Sequence, residues 1–71
     1  MRWRKNEDHW IGTGRGAEFR IHSEPAGGFR LVQHYRSFKP RQIYPRPGLD
    51  DLPIATLERA KRTAEAYAAE R

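Results

Sequence analysis

Two short runs of alternating apolar and polar residues constrain this chain most, because a period of two is typical of strands with one buried face. They span residues 17–23 and 29–35. The positions that share one side are Phe19 and Ile21 in the first run and Phe29, Leu31 and Tyr35 in the second. Between the runs, residues 24–28 (Glu-Pro-Ala-Gly-Gly) supply turn-forming Pro and Gly. The pattern predicts a β-hairpin.

The N-terminal region predicts further short strands. Trp3 and the segment His9-Trp10-Ile11 favour a pleated surface. Residues 12–16 (Gly-Thr-Gly-Arg-Gly) are predicted to form a flexible turn. Residues 12–17 superficially match a dinucleotide fingerprint with Ala17 in the last place, but a strand pattern follows where that motif needs a helix. We expect an antiparallel sheet of three to four strands, because a two-stranded hairpin alone is marginal in water.

Residues 36–53 contain four prolines, at positions 40, 45, 47 and 53. Proline lacks an amide hydrogen, so no long element can run through this stretch. We predict an extended basic loop tethered by Phe38, Ile43 and Tyr44, in which residues 42–44 could form a short edge strand.

The C-terminal segment, residues 54–70, predicts an amphipathic helix. Its apolar stripe comprises Ile54, Leu57, Ala60, Ala64 and Tyr67 or Ala68. Thr56 is a candidate N-cap, and Asp50 or Asp51 could cap an earlier start. The expected fold is one α+β domain: a β-meander (1–35), the proline loop (36–53) and the helix (54–70). The expected core is Phe19, Ile21, Phe29, Leu31, Leu57, Ala60 and Ala64 with one Trp.

Composition narrows the chemistry. The chain has 71 residues and no cysteine, which excludes disulfides and thiolate zinc sites. It has no signal-like or membrane-spanning apolar run, so we expect an unprocessed protein of the cytoplasm. Ser23 and Ser37 lack an evident base, and the three histidines, His9, His22 and His34, read as exposed groups. We predict no enzyme activity, no metal and no cofactor.

Charge points to anionic partners. The net charge is +5, and residues 1–47 carry ten basic against four acidic side chains, a balance of +6. Basic segments attract polyanions through counterion release. On the polar side of the predicted strands and in the following loop, the sequence predicts a nucleic-acid surface of Arg20, His22, Arg30, His34, Arg36, Lys39 and Arg41, interleaved with Phe38 and Tyr44. The alternative is a solvated face that prevents self-association.

Several segments carry a resemblance: Trp3, residues 18–21 (Glu-Phe-Arg-Ile), residues 27–31 (Gly-Gly-Phe-Arg-Leu) and residues 55–61 (Ala-Thr-Leu-Glu-Arg-Ala-Lys). The chain resembles small phage, prophage and bacterial orphan proteins in which a β-meander ends in a helix that begins Thr-Leu-Glu-x-Ala-Lys. Its layout is also similar to the plant-type AP2 DNA-binding domain, which implies strands entering the major groove with a helix behind them. The 36–53 segment departs from both patterns.

Two functions follow as expectations. In the first, the basic sheet face binds nucleic acid, DNA in preference to RNA, with Arg20, Arg30 and Arg36 reading bases or positioning the duplex and Lys39 and Arg41 on phosphates. In the second, the chain is a phage-type accessory or inhibitor protein, similar to anti-CRISPR or anti-restriction proteins, that binds a host protein or nucleoprotein complex through the proline loop. An uncovered edge strand would also permit a homodimer.

Overall fold

A computed structural model describes residues 1–14, 16–34, 39–49 and 51–69. It contains one antiparallel sheet in which consecutive strands are neighbours, followed by a C-terminal helix. The elements are β1 (Arg2–Asn6), β2 (His9–Gly14), β3 (Ala17–Ser23), β4 (Phe29–His34), β5 (Arg41–Tyr44) and α1 (Leu57–Ala69). The α+β class is confirmed. The strand count of three to four is wrong, because the sheet has five strands.

Strands β1 and β2 pair because a glycine makes room for a tryptophan. Gly12 lies within β2, opposite Trp3 of β1, so the predicted turn over residues 12–16 is shorter than expected. A Cβ atom added at Gly12 would lie 2.6–2.8 Å from three carbons of the Trp3 indole. The glycine is therefore required by the ring packed on it, and β2 continues through it to Gly14.

The central hairpin joins β3 and β4 as the alternating runs predict. Ile21 pairs with Leu31 across the two strands. In the connection, the Glu24 amide donates to the Gly28 carbonyl at 3.0 Å, and the Gly27 amide donates to the Glu24 carbonyl at 3.0 Å. Gly27 and Gly28 have φ of 106° and 82°, a left-handed region that favours glycine.

The proline-containing segment is more regular than a loop. β5 pairs with β4 as an edge strand, and a bulge between Leu31 and Val32 shifts its register, so that Ile43 is the extra residue. Further on, the Arg46 side chain donates to both carboxylate oxygens of Asp51, at 2.7 and 2.9 Å. Residues 35–38, which include the predicted tether Phe38, lie outside the described residues.

Helix α1 begins at Leu57, three residues later than predicted. Ile54 instead pairs with Phe29, and the two residues exchange backbone hydrogen bonds of 2.7 and 3.0 Å. Thr56 is the N-cap, since its hydroxyl accepts from the Arg59 amide at 3.1 Å. Asp50, the alternative cap, and residue 70, the predicted helix end, lie outside the described residues.

The core lies between the helix and one face of the sheet, here called the helix side. Its buried members are Phe19, Ile21, Leu31, Ile43, Ala60, Ala64 and Ala68. Phe29, Leu57 and both tryptophans are partly buried and pack at its margin. Because the helix contributes mainly alanines, it lies close to the strands. None of the helices in the described residues is long and apolar enough to cross a membrane.

Candidate nucleic-acid interface

The face of the sheet turned away from the helix, here called the outer face, is arranged in three cross-strand rows. Residues directly opposite one another in an antiparallel sheet project on the same side. The Glu18 row contains Arg2, Thr13, Glu18 and His34; the Arg20 row contains Arg4, Ile11, Arg20 and Val32; the His22 row contains Asn6, His9, His22 and Arg30. Each row crosses four strands, so the face presents side chains from distant parts of the chain together.

Four of the seven predicted site residues lie together on this face. Arg20 and His22 come from β3, and Arg30 and His34 come from β4. Their placement follows from the alternation that buries Phe19 and Leu31 on the other side.

The remaining predicted residues are not part of the outer face. Lys39 is exposed in the segment before β5. Arg41 pairs with Gln33, beyond the bulge, and lines a depression of about 420 Å³ with Tyr67 of the helix. The bulge thus carries Arg41 to the helix side, away from the four residues with which it was grouped. Arg36 lies outside the described residues.

The structure adds three basic residues that the sequence did not assign to this face. Arg2 and Arg4 flank Trp3 in β1, and His9 lies at the start of β2. Both arginines are exposed. The signal for Arg2 and Arg4 is present in the sequence, because they alternate with Trp3 in the period of a strand. Their position relative to β3 is set by β2, which lies between β1 and β3 and was partly interpreted as a turn.

One carboxylate interrupts the positive charge within the described strands of this face. The Arg20 Nε donates to Glu18 Oε2 at 3.1 Å, and both side chains are 35% exposed. Beside this pair, Thr13, Glu18, Arg20 and His34 help to line an open depression of about 560 Å³. The ion pair holds the Arg20 guanidinium in one orientation, which favours directional hydrogen bonds over loose charge attraction.

The centre of the outer face is apolar. Ile11 and Val32 lie on either side of Arg20 in its row. Ile11 is only 4% exposed although it lies outside the main core cluster. Aliphatic neighbours displace water around the guanidinium, which strengthens its interactions with an anion or a base edge.

The His22 row contains a stacked imidazole pair. The rings of His9 and His22 have centroids 4.9 Å apart and planes inclined by 23°. His9 Nδ1 lies 3.0 Å from Asp8 Oδ1. An ionised carboxylate only accepts hydrogen bonds, so Nδ1 carries the hydrogen and orients the ring. This hydrogen bond lowers the pKa of Asp8, while the Asp8 side chain itself remains exposed.

The surroundings disfavour protonation of two outer-face histidines. The pKa of His22 is lowered by burial and then by the positive charges of Arg30 and His9. The pKa of His34 is lowered by burial and then by Arg20, against an opposing effect of Glu18. Near neutral pH these two rings are therefore mostly uncharged, and the arginines supply the positive field.

Aromatic residues do not share this surface in the described part of the chain. Every described Trp, Phe and Tyr belongs to the core cluster or packs against it, including Tyr44, which the sequence placed among the basic groups. The register of β5 brings Tyr44 opposite Leu31 on the helix side. The outer face therefore offers cations and hydrogen-bonding groups instead of a stacking platform.

Metal binding has no support in the geometry, since the described residues contain no group of three or more His, Cys, Asp or Glu that could hold an ion. Comparison of the chain with models of protein families, with curated proteins and with solved structures finds no match.

Proposed function

We propose that this protein is a non-enzymatic module that binds nucleic acid, DNA in preference to RNA, through the outer face of its sheet. The observation that carries the proposal is the gathering of four arginines and three histidines on the face turned away from the helix, where Glu18 is the one carboxylate of the described strands. The arginines are Arg2, Arg4, Arg20 and Arg30. Guanidinium groups pair well with phosphates and with guanine edges.

The arrangement favours contacts to phosphates and groove edges. Proteins that hold single strands usually stack bases on aromatic rings, and the described aromatic residues pack on the helix side. Exposed arginines of β1 would serve phosphates, whereas Arg20, anchored by Glu18 between two aliphatic side chains, suits a directional contact. The AP2-like layout inferred from the sequence agrees with this mode of binding and stays a prediction.

The proposal is tested by titrating random duplex DNA at several salt concentrations. We expect micromolar affinity at low salt that weakens steeply as salt rises, because bound phosphates release counterions. The double variant Arg20→Ala/Arg30→Ala should bind at least about tenfold more weakly. The slope of log affinity against log salt should become shallower by about one, the change expected for the lost phosphate contact of Arg30, because Arg20 is assigned a directional contact.

A matched control removes the same charge from the opposite side. Arg59 and Arg62 are exposed on the helix, and Arg62 makes only a surface pair with Glu58, at 2.7 Å. The variant Arg59→Ala/Arg62→Ala should keep most of the affinity. Equal losses in the two double variants would show that net charge, and not the outer face, governs binding. No binding at low salt would remove the proposal.

A second candidate function has one specific observation in its favour. Leu49 and Leu52, in the segment that follows β5, are 55% and 86% exposed. An ion pair joins Arg46 and Asp51 in the same segment. Exposed apolar side chains suit a protein partner. We propose, as the alternative, a phage-type accessory or inhibitor protein that binds a host nucleoprotein complex here. Loss of partner binding in Leu49→Ser/Leu52→Ser, with duplex binding unchanged, would support it.

A further inference from the structure

The stacked histidines have a consequence for how a phosphate would be held. We infer that the His22 row is a phosphodiester-binding site whose occupancy is coupled to uptake of a proton by His22, with Arg30 as the permanent cation beside it. The inference rests on the proposed nucleic-acid function and names the position and the regulation of one contact within it.

The geometry supplies the cationic components of such a site. His22 lies directly between His9 on β2 and Arg30 on β4 in the sheet register. The His9 ring stacks on it at 4.9 Å and is itself oriented by Asp8. A protonated His22 would therefore add a fixed charge beside the Arg30 guanidinium, and two adjacent cationic donors are suited to one phosphate group.

Hydrogen-bonding capacity in this row is not used up by the described residues. Arg30 Nε, a donor, is buried and lacks a hydrogen-bond partner among them. His9 Nε2 also lacks one, but it is an acceptor when Nδ1 carries the hydrogen and therefore does not help to hold an anion. The nearest carboxylate to Arg30, Glu24 Oε1, is 3.6 Å from Nε, which is too long for a hydrogen bond. The Arg30 side chain is 41% exposed, so an incoming phosphate can compete with Glu24 for it.

The charges around His22 set the direction of the coupling. They come from Asp8 before β2, His9 on β2, Arg20 on β3, and Arg30 on β4 with its partner Glu24; farther along the face, Arg4 on β1 adds positive charge. Burial, then Arg30 and His9, lower the pKa of His22 in the free protein. A bound phosphate reverses that balance, because its negative charge favours the imidazolium and raises the pKa.

The sign of the pH effect follows. The proton contribution to binding is fully present below the pKa of free His22, and it is lost as the pH rises through the higher pKa of the complex. A backbone phosphodiester keeps its single charge across this range. Affinity for duplex DNA should therefore rise on acidification from about pH 7.5 to 5.5, by up to about tenfold per pH unit where one proton is taken up.

The test measures duplex affinity at about pH 5.5, 6.5 and 7.5 at constant ionic strength. The His22→Gln variant should lose the gain in affinity on acidification, so that its affinities at about pH 5.5 and pH 7.5 are similar. The matched control is His34→Gln, which removes an imidazole of the same face, next to Glu18 instead of Arg30. It should retain most of the dependence. NMR of the His22 ring with and without duplex gives a second readout, and its pKa should rise on binding.

Each result discriminates. Affinity that does not change with pH, or a dependence that persists in His22→Gln, overturns the inference while duplex binding itself stands. Absence of duplex binding at every pH removes the nucleic-acid proposal and this site with it. A parallel titration with inorganic phosphate identifies the source of the ligand: saturation by phosphate alone, with the same dependence on His22, would overturn the assignment to a nucleic-acid backbone.

Discussion

The helix side and the outer face of the sheet are made by the same strands, yet they differ in nearly every physical property. On the helix side, Phe19, Ile21 and Leu31 are fully buried against alanines of α1. On the outer face, their immediate neighbours Arg20, His22 and Arg30 are partly exposed and charged or titratable. Because successive side chains of β3 and β4 alternate between the two faces, the residues that stabilise the fold are separated from those available to a partner.

The largest difference between the two faces is expected when adjacent side chains of β4 that point to opposite sides of the sheet are shortened in turn. Leu31→Ala should lower the free energy of unfolding by about 2–5 kcal/mol, because it leaves a cavity beneath the helix. Val32→Ala, on the outer face, should cost only about 1 kcal/mol. Urea unfolding followed by circular dichroism measures both. Similar losses would mean that the outer face carries stability equal to that of the core.

A smaller effect is expected where β1 meets β2. Gly12→Ala should cost about 1–3 kcal/mol, because its Cβ would lie 2.6 Å from the nearest Trp3 ring carbon and the indole must move. Gly14→Ala is the matched control. Its Cβ would lie 3.2 Å from the nearest atom, Met1 Cα, so a smaller displacement is needed than at Gly12. Thermal unfolding distinguishes them, and a tolerated Gly12→Ala would contradict the role assigned to the tryptophan.

The smallest expected effect is a change in stability with pH that arises from the histidines of the outer face. His22 and His34 have lowered pKa values in the folded protein, so the unfolded chain binds more protons as the pH falls below about 6.5. Stability of the free protein should therefore decrease on acidification and change little above that pH. His22→Gln/His34→Gln should reduce the slope between pH 7 and 5 in urea titrations. A stability that rises over this interval would contradict the environment described for both rings.

The sequence predicts the two faces of β3 and β4 well because strand alternation is a local property. For that reason the structure brings together four of the predicted residues, Arg20, His22, Arg30 and His34. The Thr56 N-cap was also predictable, because a cap depends on adjacent residues. The rest depends on contacts between distant segments. Gly12 resembles a turn residue until Trp3 is known to lie over it, and the start of the helix depends on Ile54 pairing with Phe29.

Contacts between distant segments also decide which residues of the candidate site were assigned wrongly. Arg2, Arg4 and His9 join the outer face only through the β1–β2 and β2–β3 registers. Arg41 does not lie on the outer face, because a bulge in the β4–β5 pairing places its side chain on the helix side. The local sequence does not predict that bulge. Local sequence patterns do not predict which strands pair or in what register. Residues whose position depends on that pairing are therefore assigned to the wrong place.

The location of the two indoles has a practical consequence. Trp3 donates from Nε1 to Glu65 Oε2 on the helix at 3.2 Å, and Trp10 packs edge-on against Phe29, with ring centroids 6.4 Å apart. Trp3 thus reports on docking of the helix and Trp10 on packing around Phe29. Both lie on the helix side, and the sheet separates them from a ligand on the outer face. Intrinsic emission is accordingly a built-in monitor of folding that a ligand on the arginine-bearing surface should leave nearly unchanged.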